Sequence, residues 1–254
     1  MIHKLNADAI ERGELSLDLQ EREMQKYHYL WQMIKNFDGV SRIGLSSQNK
    51  NQYLDIWRKP KNGELRFVFS NASTNYFTFE YAISPQGQPT KVMNKFTRHY
   101  DPRQRPWYIR AVKAGKLNWQ PIHSGIDYNI FFLTLCQPIY DRNNKLLGVI
   151  HATYELDKVQ AFLRKHKIGQ HGQTFIFVWE GLLVATSEDE SSLNNSKNFK
   201  KTKRLFIERS SAPLIQATAK YLKKYFVDFN KIERSYQLEF NFNDQLQFLQ
   251  ISPY

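Results

Sequence analysis

The chain of 254 residues has one cysteine, Cys136. One thiol excludes an intramolecular disulfide and a cysteine-based zinc cluster. Cys136 ends the apolar run Phe131-Phe132-Leu133-Thr134-Leu135-Cys136 and reads as a small buried hydrophobe. No stretch reaches the roughly 18 apolar residues that a membrane helix needs. The longest apolar runs, near Thr174–Val178 and Ile130–Leu135, have the length of strands. Met1-Ile2-His3-Lys4 leads into polar sequence, so no signal peptide is expected there. Catalytic signatures are missing too. There is no phosphate loop, nucleophile elbow or Gly-x-Gly-x-x-Gly. The seven histidines show no metal-binding spacing such as His-Glu-x-x-His. We therefore expect no enzyme activity, no cofactor and no metal centre.

Aromatic residues are plentiful: 18 Phe and 14 Tyr against 11 Gly, a balance that leans toward sheet. Lys plus Arg is 36 and Asp plus Glu is 24, giving a net charge of +12. Such a charge raises nucleic acid as an alternative partner. The basic residues are scattered, however, and form no stripe interleaved with aromatics. The one dense run, Lys197-Asn198-Phe199-Lys200-Lys201-Thr202-Lys203-Arg204, adjoins a polar stretch and reads as solvated surface. No nucleic-acid partner is expected.

Residues 5–36 carry Ile10, Leu15, Leu19, Met24, Tyr27, Leu30 and Ile34 at steps near a helical period, which predicts a long leading helix with a break near Gly13. Strand patterns follow at Val40–Leu45, Tyr53–Arg58, Leu65–Phe69 and Tyr76–Tyr81, with Asn62-Gly63 as a hairpin turn. Pro106 suits a first helical turn, and Gly115 a stop. Strands Asn129–Tyr140 and Leu146–Glu155 come next, then a helix over Leu156–Lys165. A second, smaller unit begins with a hairpin over 174–186. It continues with a helix over Ala212–Tyr225 and a final hairpin, Tyr236–Phe242 and Gln245–Ile251. The order predicts an α+β protein with mainly antiparallel sheets.

The densest chemistry lies in Tyr100-Asp101-Pro102-Arg103-Gln104-Arg105-Pro106-Trp107-Tyr108-Ile109-Arg110-Ala111. Prolines stiffen it, arginines supply forked donors, and Trp and Tyr supply flat faces. Asp101 and Arg103 are spaced to pair and fix the loop. The motif leads on to Asn118-Trp119-Gln120-Pro121, Gln137-Pro138-Ile139-Tyr140-Asp141 and Gly148-Val149-Ile150. Then come Gly169-x-x-Gly172-x-x-Phe175-Ile176 and Gly181-Leu182-Leu183-Val184-Ala185-Thr186-Ser187. In this ordered set the chain resembles the double Cache sensor domains, extracytoplasmic ligand-binding regions of bacterial transmembrane receptors.

The resemblance implies a long N-terminal stalk helix (1–38) and a membrane-distal ligand-binding module (39–166). It also implies a membrane-proximal module (167–254) cut short at its C-terminal end. The two modules would be stacked and PAS-like. Membrane helices would flank the segment, placing it on the periplasmic face of the membrane. The parent receptor would carry a cytoplasmic histidine kinase, nucleotide cyclase or chemotaxis output, and the N-terminal helix would suit a homodimer.

In the amino-acid-binding branch of that family, the positions of Tyr100, Arg105 and Trp107 hold the ligand carboxylate. The position of Tyr108, a further tyrosine and a late-strand aspartate hold the amino group. Here the aspartate's position is Thr153, which supplies no charge to offset an ammonium. The expected ligand is therefore a small organic acid or other polar metabolite rather than a standard amino acid. Asp127 and Tyr128, in a loop over the pocket, are the residues that would restore an amine site. His151 alternates with apolar neighbours, and its pattern favours neither the pocket nor the core.

Overall fold

The computed structural model describes residues 2–19, 28–60, 62–124, 130–166, 168–169, 171–190 and 204–253. Two compact units form, Met1–Glu155 and Leu156–Tyr254.

The first unit opens with α1 (Ile2–Glu11), which buries Ile2, His3, Asn6 and Ala9. The helix ends where Gly13 takes a φ of +73° and the N–H groups of Glu14 and Leu15 bond back to the Ala9 carbonyl. A left-handed residue at a helix end is glycine's usual place. Beyond it, Leu15, Leu17 and Leu19 are all buried in non-helical backbone. The expected break near Gly13 is therefore present, and non-helical backbone follows it to Leu19. Leu15-Ser16-Leu17-Asp18-Leu19 alternates with a period of two, which cannot present one helical face. A second helix, α2 (His28–Asn36), turns Leu30, Trp31, Met33 and Ile34 inward.

Five strands then run β1 (Val40–Ser47), β2 (Tyr53–Arg58), β3 (Leu65–Ser70), β4 (Phe77–Ile83) and β5 (Pro89–His99). After α3 (Pro106–Ala114) come β6 (Asn118–Trp119), β7 (His123–Ser124), β8 (Phe131–Tyr140) and β9 (Leu146–Glu155). They make one nine-stranded sheet in the order β5-β4-β3-β2-β1-β9-β8-β6, with β7 pairing β8. The chain closes the sheet centrally, because β9 returns to lie antiparallel beside β1. β5 was not foreseen. It is an edge strand, mostly exposed and carrying Lys91, Lys95 and Arg98, so it has no apolar face to betray it.

One face of this sheet is the core. Ile43 and Leu45 of β1, Leu54 and Ile56 of β2, Phe67 and Phe69 of β3, and Ile150 and Ala152 of β9 pack there with residues of α1 and α2. Strand alternation sends their neighbours to the opposite face. That second face is covered by α3 and carries the polar residues described below.

The second unit holds α4 (Leu156–Lys165), the hairpin β10 (Phe175–Phe177) and β11 (Leu183–Thr186), α5 (Pro213–Phe226), and the hairpin β12 (Tyr236–Phe242) and β13 (Gln245–Ile251). Its two hairpins are separate two-stranded antiparallel sheets. Leu222 and Phe226 of α5 pack with Ile232 and Ile251, while Ala219 meets Leu183 and Ile207. The turn of the last hairpin is Asn243-Asp244, both residues at positive φ. The fold is α+β with mainly antiparallel sheets, as the sequence predicts. Among the described residues, no helix is long and apolar enough to cross a membrane.

Candidate ligand-binding site

The polar face is built in rungs across the sheet. Trp57 pairs with Arg42, which pairs with Thr153, which pairs with Thr134. In the next rung Asp55 pairs with Gly44, Gly44 with His151, and His151 with Cys136. These side chains share a face because each step along a strand of two residues returns to it.

Asp55 is the only carboxylate in these two rungs and is fully buried. Its Oδ2 accepts from Arg42 Nη1 at 2.8 Å and from the Tyr53 hydroxyl at 3.0 Å. Its Oδ1 has no hydrogen-bond partner among the described residues and lies 3.8 Å from His151 Nε2. Burial pushes the Tyr53 hydroxyl well above its ordinary pKa, and the neighbouring Asp55 charge pushes further. The buried carboxylate instead draws on the arginine, whose guanidinium also lies 4.1 Å from the Trp57 ring centroid.

Gly44 makes this approach possible. A Cβ built there would fall 2.3 Å from His151 Cε1 and 2.6 Å from the Leu54 carbonyl oxygen. His151 occupies the space that any other residue at position 44 would fill. Its ring stacks parallel to Tyr53 at 5.9 Å and meets Trp107 at 5.2 Å.

The covering layer is the Tyr100–Ala111 segment. Asp101 caps a 3-10 turn at Pro102–Gln104 and is gripped by Arg103 through two bonds of 2.9 Å, so this pair fixes the loop as expected. Arg105 is the N-cap of α3 and makes no side-chain cap bond. Its backbone carbonyl starts the helix, and its guanidinium is left over the Tyr100 ring at 5.6 Å. Among the described residues the Arg105 side chain has no ion-pair partner. Trp107 and Tyr100 pack together with Tyr53, Trp57 and Val68. Burial raises the Tyr100 hydroxyl pKa, while Trp107, Arg105 and Arg42 act against the rise.

The structure thus brings Tyr100, Arg105 and Trp107 together. Thr153 lies on the sheet face beneath, buried, with its hydroxyl 3.0 Å from that of Thr134. Tyr108 is placed differently. It turns onto Cys136 and Val149, and its hydroxyl donates to Gln48 Oε1 at 2.7 Å. Its pKa is raised by burial. Asp127 and Tyr128 lie outside the described residues. Arg42, Tyr53, Asp55 and Gly44 were missed, although Tyr53-Leu54-Asp55-Ile56-Trp57 showed the alternation that puts Tyr53, Asp55 and Trp57 on one face.

Two clefts open elsewhere in the first unit, beside the β1–β2 turn. One, of about 470 Å³, is lined by Asn49, Lys50, Asn51, Gln52, Ala72, Tyr76 and Arg103. The other, of about 400 Å³, lies between that turn and the residues following α1. Neither is lined by Tyr100, Arg105, Trp107 or Thr153. At the cluster, by contrast, a guanidinium without an ion-pair partner among the described residues meets aromatic faces near the buried Asp55 carboxylate. The clefts have their cations already paired, Arg103 to Asp101 and Lys50 to Asp18.

The nine-stranded antiparallel sheet thus has a helix-covered polar face, over which lies Arg105, without an ion-pair partner among the described residues, beside aromatic rings. Residues 45–161 match the family described as "Methyl-accepting chemotaxis protein-like, first PDC sensor domain". The match is to the type of sensor domain that the sequence motifs implied, and it spans 117 of the 254 residues. The chain is 27% identical over 127 residues to the methyl-accepting chemotaxis protein McpA of Pseudomonas putida, covering 49% of this chain and 20% of that protein. It is 33% identical over 84 residues to McpB of Bacillus subtilis, covering 32% and 12%. The aligned parts therefore span a fifth or less of these curated relatives. Among solved structures it is similar to the sensory domain of the Campylobacter jejuni chemoreceptor Tlp3, at 13% identity and a TM-score of 0.46, over 97% of this chain and 78% of that one.

The nucleic-acid alternative finds no support in the family match. Most of the basic run 197–204 lies outside the described residues. Arg204, at its end, is spent internally on the Leu182 and Leu183 carbonyls.

Proposed function

We propose that this chain is the extracytoplasmic sensing region of a bacterial chemoreceptor and binds a small carboxylate-bearing molecule in its first unit. The observation that carries the reading is Arg105. It is a half-buried guanidinium with no ion-pair partner among the described residues, held at a helix start over Tyr100 and beside Trp107. A planar fork in that setting matches a carboxylate bidentately, and the partly dry surroundings strengthen the bond. The ligand would favour one of two arrangements of the sensor, and membrane helices of the full receptor would carry that bias to a cytoplasmic output. Pairing of two copies through the N-terminal helix belongs to the same reading. Leu5 is exposed on α1 and available to a partner.

Isothermal titration against simple carboxylates, amines and standard amino acids tests this. Carboxylates should bind, and Arg105→Gln should weaken them by about tenfold to a hundredfold, the size of one charge-assisted contact. Tight binding of ordinary amino acids alone would sink the carboxylate reading.

A further inference from the structure

The floor of the site holds a second guanidinium that the covering segment does not explain. Arg42 projects from β1 onto the polar face, and its side chain is 26% exposed. Asp55 takes one of its N–H groups, and the Trp57 ring supports its plane. Among the described residues this guanidinium forms no other hydrogen bond, which leaves donors uncommitted on the floor. Its cross-strand neighbour is Thr153, whose hydroxyl is paired with Thr134. Those two hydroxyls keep hydrogen-bonding capacity beyond the bond between them.

The charges do not cancel. Among the described residues of the two rungs the one carboxylate is Asp55, which is fully buried and already holds Arg42 and Tyr53, while Arg105 has no ion-pair partner among the described residues. A ligand ammonium placed beside Thr153 would meet Arg42 as a like charge, with Asp55 enclosed behind it. A second anionic group placed there would find an arginine fork and two hydroxyls. The two arginines also bear on the same groups. Arg42 and Arg105 both act on the Tyr100 hydroxyl, and both help to depress the His123 pKa after burial, its largest cause.

Resting on the carboxylate reading above, we propose that the ligand is a short dicarboxylate. One carboxylate sits at Arg105 between Tyr100 and Trp107, and the other sits at Arg42 beside Thr153 and Thr134. Arg42 is then the residue that separates dicarboxylates from monocarboxylates.

The test is titration calorimetry of the chain with succinate, glutarate and propionate at one pH and ionic strength. At least one dicarboxylate should bind about tenfold or more tightly than propionate, the worth of one additional ionic contact. Arg42→Gln should collapse that ratio toward one, and Arg42→Lys should restore part of it. Because Arg42→Gln strands Asp55, the variant Arg42→Gln with Asp55→Asn keeps the site neutral, and its melting curve reports whether the fold survives. Arg105→Gln should weaken all three ligands together. Dicarboxylates binding no better than propionate would overturn the proposal, as would Arg42 variants that weaken all three ligands equally. If propionate binds through Arg105 while the ratio is one, only the dicarboxylate step fails. If no carboxylate binds and Arg105→Gln changes nothing, the underlying reading fails with it.

Discussion

The two faces of the nine-stranded sheet are made by the same strands and differ in almost every physical respect. On one, Ile43, Leu54, Ile56, Phe67, Phe69 and Ile150 pack into a continuous apolar cluster. On the other, residues one step away along the same strands are Arg42, Tyr53, Asp55, Trp57 and His151. The first face is stable by area removed from water. The second holds buried charge and unsatisfied polar atoms, among them Asp55 Oδ1 and His151 Nδ1. Buried unsatisfied groups are costly, so they persist where something else needs them. The contrast teaches that stability and recognition are separated here by a single residue step.

The sharpest way to break the contrast is Phe67→Ala. Phe67 is 1% exposed within the apolar cluster, so truncation should cost about 3–5 kcal/mol by urea denaturation. Carboxylate binding by the molecules still folded should persist. A loss under about 1 kcal/mol would mean that the two faces are not divided as described.

The next effect concerns a polar intruder in the core layer, His3 of α1. Burial lowers its pKa from 6.5 to about 4, and the nearby His151 lowers it further. Contact with the Leu135 backbone works the other way, but more weakly. Above about pH 7 neither folded nor unfolded His3 is charged, so it adds no pH dependence. As pH falls through 6.5, the unfolded state gains a proton that the folded state resists until about 4. Stability should therefore fall by about 3 kcal/mol between pH 7 and pH 4. His3→Leu should flatten that part of the profile in urea titrations at the two pH values. An unchanged slope would show that His3 is not held neutral.

The smallest effect sharpens the polar face. Thr153→Val keeps the shape and removes one partner of the Thr134 hydroxyl, at a cost of about 1 kcal/mol in chemical denaturation. Adding Thr134→Val should recover most of it, because replacing both partners leaves nothing unpaired. If the double variant is worse than the single, the hydroxyl pair is not what holds these positions together.

Much of the fold could be read from local pattern. The bounds of β2, β9, α4 and the last hairpin coincide with runs of clear periodicity. What escaped reading lacked a local signature. β5 has no buried face, whereas the break after α1 was legible from Gly13, and only the alternating leucines that extend it were not. The site divides in the same way. Tyr100, Arg105 and Trp107 stand close together in one conspicuous segment, so their convergence was legible. Arg42, Tyr53 and Asp55 are scattered on strands, where alternating polar residues look like an ordinary solvated face. Only the covering by α3 and the Tyr100–Arg105 segment turns that face inward, and that covering is a tertiary fact. Tyr108 shows the reverse. It stands in the conspicuous segment, yet the helical turn carries it away from Arg105 toward Gln48.

Gly44 has a consequence that reaches past this one molecule. A hydrogen at that position is the condition for His151 to lie across β1 toward Asp55. In any protein built on this sheet, the two positions should therefore change as a couple. A side chain appearing on β1 there should coincide with a shrunken residue opposite it on β9. Such paired substitution would mark out, from alignments alone, which relatives have kept the buried carboxylate's histidine neighbour and which have rebuilt the floor for a different ligand.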